Sequence, residues 1–273
     1  RNGKTILIVS VISGSNKPYF IKGKGLRPEG VYIRQGAASV PASFSAIRDM
    51  IIENSGNCYE NAVSINQDLT FNYSSKIFKE KQIEFSDNQK RSLGFIDTNG
   101  FYTNVALLFS DQCPHIIKAA RFSGTDKIEF QNREEFSGSI LSQMQDAYAY
   151  INKYNQLHGK IEGMYRIDNY DYPIEAAREA LFNAVIHRDY SYQTSPILLS
   201  IFDDHIEITN PGGLLPGFNE SDLYNGISAL RNSVIAEIFF RLVLIEAYGT
   251  GIKKIMHAYE PYQIKPEISL STH

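Results

Sequence analysis

The sequence predicts a protein that contains both helices and strands, of the α/β class in the broad sense that includes α+β folds. Runs of β-branched or alternating apolar residues at 5–12, 116–122 and 196–202 are typical of strands. Segment 137–154 carries apolar side chains at helical spacing, and a second helix is predicted to start at Ile174, just after a proline. Helices and strands are therefore both expected to contribute to the core.

The composition excludes several classes of protein. A length of 273 residues corresponds to two domains or three small ones, at about 100–200 residues each. The hydrophobic fraction of 43% is too high for a disordered chain. The chain has 27 Lys and Arg and 30 Asp and Glu, so its net charge is −3. This excludes non-specific binding of nucleic acid by an overall positive charge, although it does not exclude a local basic patch. No run of about 18 apolar residues is present, so no membrane association is expected.

The cysteines and the start of the chain indicate a cytoplasmic fragment. Cys58 and Cys113 are too few for a disulfide framework or a four-ligand zinc site. Nothing resembles a secretory leader, so the expected compartment is the cytoplasm. The chain begins with Arg1 rather than Met and passes at once into an apolar run, which favours a fragment of a longer protein.

Residues 1–55 are predicted to form a partial β-β-β-α piece. After the strand at 5–12, further strands are expected at 19–21 and 31–34. Ser43 or Ser45 can then cap a helix that runs to about residue 53.

Residues 56–165 are predicted to form a small helical or α+β middle region. A helix ending near Glu80, a short helix after Ser86, a turn at Asn99-Gly100 and the apolar run 105–109 give a weak winged-helix-like pattern. Acidic residues dilute the lysines of this segment, which favours a helical subdomain over one that reads DNA. A short strand is also predicted at 161–167.

The helix from Ile174 carries the most informative polar pattern. Glu175, Glu179, Asn183 and His187 recur every four residues and so lie along one side of the helix. A carboxylate and an amide oxygen one turn apart suit a water-activating base beside a ligand of Mg²⁺, which prefers oxygen. The alternative is an ordinary polar face on a capped helix.

The segments that follow add candidate ligand-binding turns. A hairpin strand at 205–209 leads into Asn210 and the Gly212-Gly213 pair, where backbone can approach a ligand closely. After an irregular stretch and a helix at 234–245, Gly249 and Gly251 precede another helix. Amide groups at such a helix start favour an anion such as phosphate.

The ordered set of these motifs resembles the GHKL (Bergerat-fold) ATP-binding domain. It is closest to a divergent branch in predicted transcriptional regulators of bacteria and archaea, the RecG-related helicase-like proteins. The resemblance covers about the last 105 residues and is carried by REALFNAVIHRDY at 178–190, IEITNPGG at 206–213, the Arg231-Asn232 pair and YGTGI at 248–252. It implies a C-terminal α/β sandwich with a mixed sheet over residues 166–273.

The resemblance also implies roles for individual residues. Glu179 matches the water-activating carboxylate and is the candidate catalytic residue, and Asn183 matches the Mg²⁺ ligand. The candidate nucleotide-binding residues are Asn183, His187, Asn210, Gly212, Gly213, Arg231, Gly249 and Gly251. The usual adenine-reading Asp has no counterpart, and Asn210 is the nearest substitute. The sequence assigns no role to the His187-Arg188-Asp189 triplet, in which Arg188 can pair with Asp189 or Glu207 or meet phosphate.

A second resemblance concerns the first 55 residues, which are similar to the C-terminal half of a Schlafen/AlbA-like domain. The segments that carry it are 17–22 and 30–38. Such domains are associated with nucleic acid, and they commonly precede the ATPase-like module. The functional residues of the family lie in the half that this sequence does not include.

Three functions follow as hypotheses. The first is a fragment of a bacterial transcriptional regulator in which ATP and Mg²⁺ binding, with at most weak ATPase activity, controls DNA binding by flanking domains. The second is a nucleotide-free GHKL-like scaffold for dimerisation or interaction, and a homodimer is one option for its assembly. The third is a Mg²⁺-dependent ATPase that acts on nucleic acid.

Overall fold

The computed structural model of the chain divides into two compact units, Arg1–Cys58 and Tyr59–His273. The described residues are 18–25, 27–35, 38–47, 50, 59–215, 218–225, 229–246, 249–262 and 264–270.

The first unit contains one β-hairpin. Strands β1 (Tyr32–Gln35) and β2 (Ala38–Pro41) pair antiparallel. Residues 44–47 are helical, and the Ser43 hydroxyl accepts a hydrogen bond from the Ala46 amide at 3.1 Å, as predicted for a capping serine. A small buried core consists of Val31, Ala42 and Ile47.

One strand prediction for this unit is wrong, and one strand was not predicted. Residues 19–21 form no strand; the Ile21 amide donates to the Gly30 carbonyl at 2.9 Å and closes a turn-rich loop. Strand β2 was not predicted because its short polar sequence has weak β-propensity, and it forms by pairing with β1. The predicted strand at 5–12 lies outside the described residues.

The second unit begins with short helices. After a 3₁₀ turn at Tyr59–Asn61 come helices α1 (Asn72–Glu80), α2 (Asp87–Ser92) and α3 (Asn104–Phe109). The two predicted helices and the turn at Gly100, which has φ of +92°, are confirmed. The apolar run 105–109 belongs to α3, whose Val105, Ala106, Leu108 and Phe109 are buried.

A mixed four-stranded sheet lies at the centre of this unit. Its order is β4-β3-β7-β8, with β3 (Ile117–Ser123), β4 (Glu129–Phe136), β7 (Ile197–Ile201) and β8 (Ile206–Thr209). Strands β3 and β7 run parallel, with Ile117 opposite Ile197, and the other two pairs are antiparallel. Residues on either side of position 165 therefore share one sheet.

Strand β4 was not predicted. It contains three glutamates and lacks apolar alternation, so its sequence carries no strand signal. It forms an edge of the sheet, where charged side chains are tolerated and oppose pairing with another chain.

Two long helices complete the core. Helix α4 (Ile140–Tyr154) and helix α5 (Ile174–His187) pack against each other and against the sheet. The Ser139 hydroxyl caps α4 by accepting from the Leu141 amide. Both helices were predicted from their apolar spacing, and their buried faces join the sheet in one hydrophobic cluster.

The segment between α4 and α5 is a hairpin rather than the single strand predicted at 161–167. Strands β5 (Leu157–Glu162) and β6 (Tyr165–Tyr170) pair antiparallel. The turn falls at Gly163, with φ of +64°, in the middle of the predicted strand. Ile161 and Tyr165 flank this turn and are 77% and 79% exposed, so their apolar character does not mark a buried strand.

Three helices follow the sheet. They are α6 (Glu220–Asn225), α7 (Ser233–Arg241) and α8 (Gly251–Ala258). The helix predicted to reach residue 245 ends at Arg241, and Val243 two residues later has φ of +56°. Residues 264–270 form neither helix nor strand.

The predicted fold class is confirmed, because helices pack on a mixed sheet in an α/β arrangement. Across the described part of the chain, no helix is both long enough and apolar enough to cross a bilayer.

Candidate functional site

The polar stripe of α5 lies beside two glycine-containing segments. Glu175 is exposed, whereas Glu179, Asn183 and His187 are half-buried. The other sides of the helix are buried in the core through residues such as Ala177, Leu181, Val185 and Ile186. The half-burial of the stripe means that other elements pack against it.

One of these elements is the start of α8. Helix α8 packs along α5, and Gly251 is its first residue. A Cβ atom at Gly251 would lie 2.5 Å from Glu179 Oε1, 2.9 Å from Asn183 Nδ2 and 3.2 Å from Asn183 Oδ1. A side chain at this position would make the ends of the Glu179 and Asn183 side chains shift, so the backbone at the start of α8 lies close to the carboxylate and the amide.

The second element is the turn that follows β8. Gly212 has φ of +106°, and a Cβ atom there would lie 2.7 Å from Asp189 Cβ. The Asp189 amide donates to the Pro211 carbonyl at 2.9 Å. Because α5 ends at His187, this contact holds the glycine turn against the end of the helix that carries the polar stripe.

Arg231 fixes the same turn from the other side. Its Nη1 donates to Asp189 Oδ2 at 3.2 Å, and its Nη2 donates to the Gly213 carbonyl at 2.6 Å. Asp189 Oδ1 accepts from the amide and the hydroxyl of Ser191 at 3.0 and 2.6 Å. Both carboxylate oxygens of Asp189 are therefore occupied by protein donors.

Asn232 joins α7 to α5. Its Nδ2 donates to the carbonyls of Ile186 and Arg188 at 2.7 and 2.8 Å, which satisfies acceptors at the end of α5. At the start of α7 the fully buried Glu60 accepts from the amides of Val234 and Ile235 at 2.9 and 3.1 Å. Burial raises the pKa of this carboxyl, although these hydrogen bonds oppose the shift.

His187 lies at the end of the polar stripe and close to Arg231. Burial, and after it the positive charge of Arg231, lowers the pKa of this imidazole. The neutral imidazole is therefore the favoured form near pH 7, and it can act as both a donor and an acceptor.

Arg188 pairs with neither Asp189 nor Glu207, the two carboxylates considered for it from the sequence. It is 1% exposed, and its Nη2 donates to His115 Nδ1 at 3.0 Å and to the Ser195 carbonyl at 2.6 Å. Asp189 pairs with Arg231 instead, and Glu207 pairs with Lys127 at 2.7 Å. Arg188 therefore anchors the segment after α5 from inside the core.

The structure thus brings the candidate residues into two groups. Glu179, Asn183 and Gly251 form the first, and Gly249 lies two residues before it in the chain. Gly212, Gly213 and Arg231 form the second, with His187 at the adjacent helix end and Asn210 two residues before the glycines. Along α5 the two groups are about one to two turns apart.

Sequence reasoning missed Asp189 and Asn232, which hold the second group together. Both lie in motifs that carry the family resemblance, so their positions could have marked them as residues of the candidate site. Their partners could not be read from the sequence, because Arg231 and the glycine turn are distant in the chain.

The oxygen donors of the first group fit a metal ion that takes only some of its ligands from the protein and the others from a bound phosphate and water. Within the described residues no group of three or more His, Cys, Asp and Glu side chains could hold a metal ion. Glu179 and Asn183 supply one carboxylate and one amide oxygen, both suited to Mg²⁺. Magnesium commonly takes its remaining ligands from phosphate and water, which this partial set allows.

Comparisons with known proteins agree with part of this assignment. Residues 194–271 match the family model described as "Putative ATP-dependent DNA helicase recG C-terminal". The match includes the glycine turn, Arg231 and the start of α8, whereas Glu179, Asn183 and His187 precede it. Comparison with curated proteins gives no match.

A crystal structure of the DIP2311 protein from Corynebacterium diphtheriae is similar in fold. The TM-score is 0.65 at 22% identity, and the alignment covers 86% of this chain and 49% of that chain. This chain therefore spans about half the length of that protein, and the likeness concerns the fold alone. The family match by itself supports an ATPase-like, RecG-related module in the last third of the chain.

Proposed function

We propose that residues 166–273 form a divergent nucleotide-binding module of the GHKL type, which binds ATP and Mg²⁺ and controls DNA binding by other parts of a transcriptional regulator. The observation that carries this proposal is the contact of Gly251 with both Glu179 and Asn183. It joins a helix start to an oxygen-rich pair, two features that serve phosphate and Mg²⁺ respectively.

The phosphate end of the nucleotide is assigned to the start of α8. The first amides of a helix have no partner within the helix and favour negative charge. Asn183 Oδ1 would hold Mg²⁺, which neutralises phosphate charge when bound. The absence of a side chain at Gly249 and Gly251 allows backbone to approach the phosphates.

The base end is assigned to the turn after β8. Gly212 and Gly213 provide backbone without side chains, and Asn210 supplies an amide that can donate to or accept from the base. Asp189 is not assigned to the base, because Arg231 and Ser191 occupy its oxygens. Its role is to hold the turn in place together with Arg231.

A nucleotide-free scaffold is the second candidate, and one observation favours it. The contact of Gly251 with Glu179 and Asn183 is already close, which is also what stable packing of α8 on α5 requires. In this case the glycines serve helix packing and the module acts in dimerisation or interaction.

Calorimetric titration with a non-hydrolysable ATP analogue, with and without Mg²⁺, tests the proposal. We expect saturable, Mg²⁺-dependent binding that weakens at least about tenfold in Asn183→Ala, since an oxygen ligand of Mg²⁺ is lost. Asn169→Ala, in the exposed strand β6, is the matched control and should bind as the parent protein does.

No binding at millimolar analogue would overturn the nucleotide proposal and leave the scaffold. An ATP turnover assay with Glu179→Gln addresses the remaining hypothesis of an ATPase that acts on nucleic acid. If the parent protein turns ATP over well above background and Glu179→Gln abolishes this turnover, Glu179 is a catalytic base. The ATPase hypothesis would then replace the proposal that ATP binding alone controls DNA binding.

A further inference from the structure

Strand β4 leaves one edge of the central sheet unpaired. It ends the sheet on the side opposite β8, the strand that leads into the glycine turn, so this edge is separate from the proposed nucleotide module. The backbone of β4 pairs with β3, and within the described part of the chain it makes no other backbone hydrogen bond. In an edge strand every second residue directs its N–H and C=O away from the sheet, so these groups are available to a further strand.

A groove lies between this edge and helix α4. Its volume is about 530 Å³, within the range of about 300–1,000 Å³ that is usual for ligand sites. Two buried rings, Phe136 of β4 and Tyr150 of α4, line it and contact each other edge to face at a centroid distance of 6.0 Å. Its charged side chains are Glu134, Glu135, Asp146 and Lys153. The groove therefore combines an apolar surface with carboxylates.

The charge of the groove is negative and incompletely neutralised. Glu135 pairs with Lys118 at 2.8 Å, and Glu134 lies 3.6 Å from Lys153. Asp146 is exposed and makes neither a hydrogen bond nor an ion pair with a described residue. Burial, and after it the negative charge of Glu134, raises the pKa of the Asp146 carboxyl. A cation brought to Asp146 from solvent would offset this repulsion, and the exposed carboxylate is within its reach.

The direction of the β4 side chains determines the spacing that a partner needs. Asn132 and Glu134 face α4, because Asn132 Oδ1 accepts from the Tyr150 hydroxyl at 3.1 Å and Glu134 contacts Lys153. Successive residues of an added strand also alternate between the two faces. Side chains at every second position would therefore lie on the α4 side, next to Glu134 and Asp146.

We propose that this edge and its groove form a docking site for an extended basic segment of a partner protein, which joins the four-stranded sheet as a further strand beside β4. Lysine or arginine at every second position meets Glu134 and Asp146, and the backbone of the segment pairs with β4. A second copy of this chain fits less well, because pairing of two β4 strands would bring their glutamates together. The proposal does not depend on nucleotide binding.

NMR titration of the full chain with short capped peptides tests the inference. The first peptide alternates lysine with threonine, which favours strands, and the second has glutamate in place of lysine. We expect saturable millimolar or tighter binding of the lysine peptide and at least about tenfold weaker binding of the glutamate peptide. At saturation, the amides of alternate β4 residues should exchange at least about tenfold more slowly, whereas those of β8 should not change.

Two methylated forms of the lysine peptide test strand pairing by itself. One carries N-methyl groups on its lysine amides and the other on its threonine amides, so both keep the charge. Only one set of amides faces β4, because N–H directions alternate along a strand. One methylated peptide should therefore lose binding while the other keeps it.

Variants then locate the bound peptide. Asp146→Asn and Glu134→Gln change exposed or half-buried carboxylates and should each weaken binding of the lysine peptide about threefold, and together about tenfold. Glu260→Gln removes an exposed carboxylate outside the groove and should leave binding unchanged. Thermal unfolding of each variant separates loss of the site from loss of the fold.

Four outcomes would overturn the inference. Failure of the lysine peptide to bind at millimolar concentration would remove the docking site. Binding that persists unchanged in the double variant would place the peptide elsewhere. Equal loss, or equal retention, of binding in the two methylated peptides would exclude strand pairing. Protection of β4 that rises with protein concentration in the absence of peptide would make this edge an interface between copies of the chain.

Discussion

At the scale of single residues, Gly251 determines how closely α8 approaches α5. A methyl group at this position would lie 2.5 Å from Glu179 Oε1, a distance that real Cβ atoms do not show. The atoms that the methyl group would meet are the ends of the Glu179 and Asn183 side chains, which can shift. Gly251→Ala should therefore destabilise the second unit by about 1 kcal/mol, the low end for overpacking, measured by urea unfolding.

The double variant Gly251→Ala/Glu179→Ala provides the control for this prediction. Removal of the Glu179 carboxylate frees the space that the methyl group needs, so part of the stability should return. A loss of stability in Gly251→Ala that does not return in the double variant would mean that the methyl group does not meet Glu179 as described.

The buried pair of Arg188 and His115 predicts a pH dependence of stability. Burial, followed by the charge of Arg188, lowers the pKa of His115 to about 4. Because Arg188 only donates, His115 Nδ1 is its acceptor, and the proton of the neutral ring is on Nε2, 3.4 Å from the Tyr59 hydroxyl. The native state thus favours the neutral imidazole.

Between about pH 6.5 and pH 4 the unfolded state binds a proton that the folded state does not. The stabilising contribution of His115 is therefore complete above pH 6.5 and is lost as the pH falls towards 4, by up to about 3 kcal/mol. Denaturant unfolding of the parent protein and of His115→Gln at several pH values should show a smaller slope in the variant. Titration of His187 and of the carboxylates occurs in both proteins, so equal slopes would contradict the prediction.

At the scale of elements, the β5–β6 hairpin differs from the rest of the second unit. Each residue of both strands for which exposure is described is exposed, and Met164 in the turn is 97% exposed. A two-stranded hairpin without a buried face is marginally stable in water. Its two strands pair with each other, and none of its side chains for which burial is described is buried.

Amide hydrogen exchange should distinguish this hairpin from the central sheet. The amides of β5 and β6 should exchange at least about a hundredfold faster than those of β3 and β7, because local opening exposes little apolar area. The inner strands β3 and β7 serve as the internal reference in the same experiment. Equal protection of both sheets would show that the hairpin is part of the cooperative core.

Helix α7 shows how an element can depend on a distant residue. Its first amides bond to Glu60, which lies more than 170 positions earlier in the chain. The apolar spacing of 234–240 predicts the helix, but the partner of its N-terminus follows only from the tertiary fold.

At the scale of the whole molecule, the parallel pairing of β3 with β7 joins residues on either side of position 165. Each of the two strands pairs with the other along five residues, and both contribute to one hydrophobic cluster. Neither part has a complete sheet or a closed core without the other.

Separate expression of residues 59–165 and 166–273 tests this dependence. Each part alone should lack cooperative thermal unfolding, whereas residues 59–273 should unfold in a single transition. Circular dichroism during heating measures both results. Cooperative unfolding of residues 166–273 alone would mean that the C-terminal module folds without β3 and β4.

The sequence alone predicts the features that depend on local patterns. Apolar spacing predicts α4 and α5, alternation predicts the β7–β8 hairpin, and the four-residue repeat predicts that Glu179 and Asn183 share one side of a helix. Each of these signals comes from the geometry of one element, so neighbouring residues are sufficient to reveal it.

Only the tertiary structure decides which of these features meet. The approach of Gly251 to Glu179 and Asn183, the occupation of Asp189 by Arg231, and the burial of Arg188 against His115 all join residues far apart in the chain. Strand β4, with its glutamates, exists because β3 has a free edge that it can complete. Such contacts depend on packing between elements. The residues near one partner in the sequence therefore do not identify the other partner, which is distant in the chain.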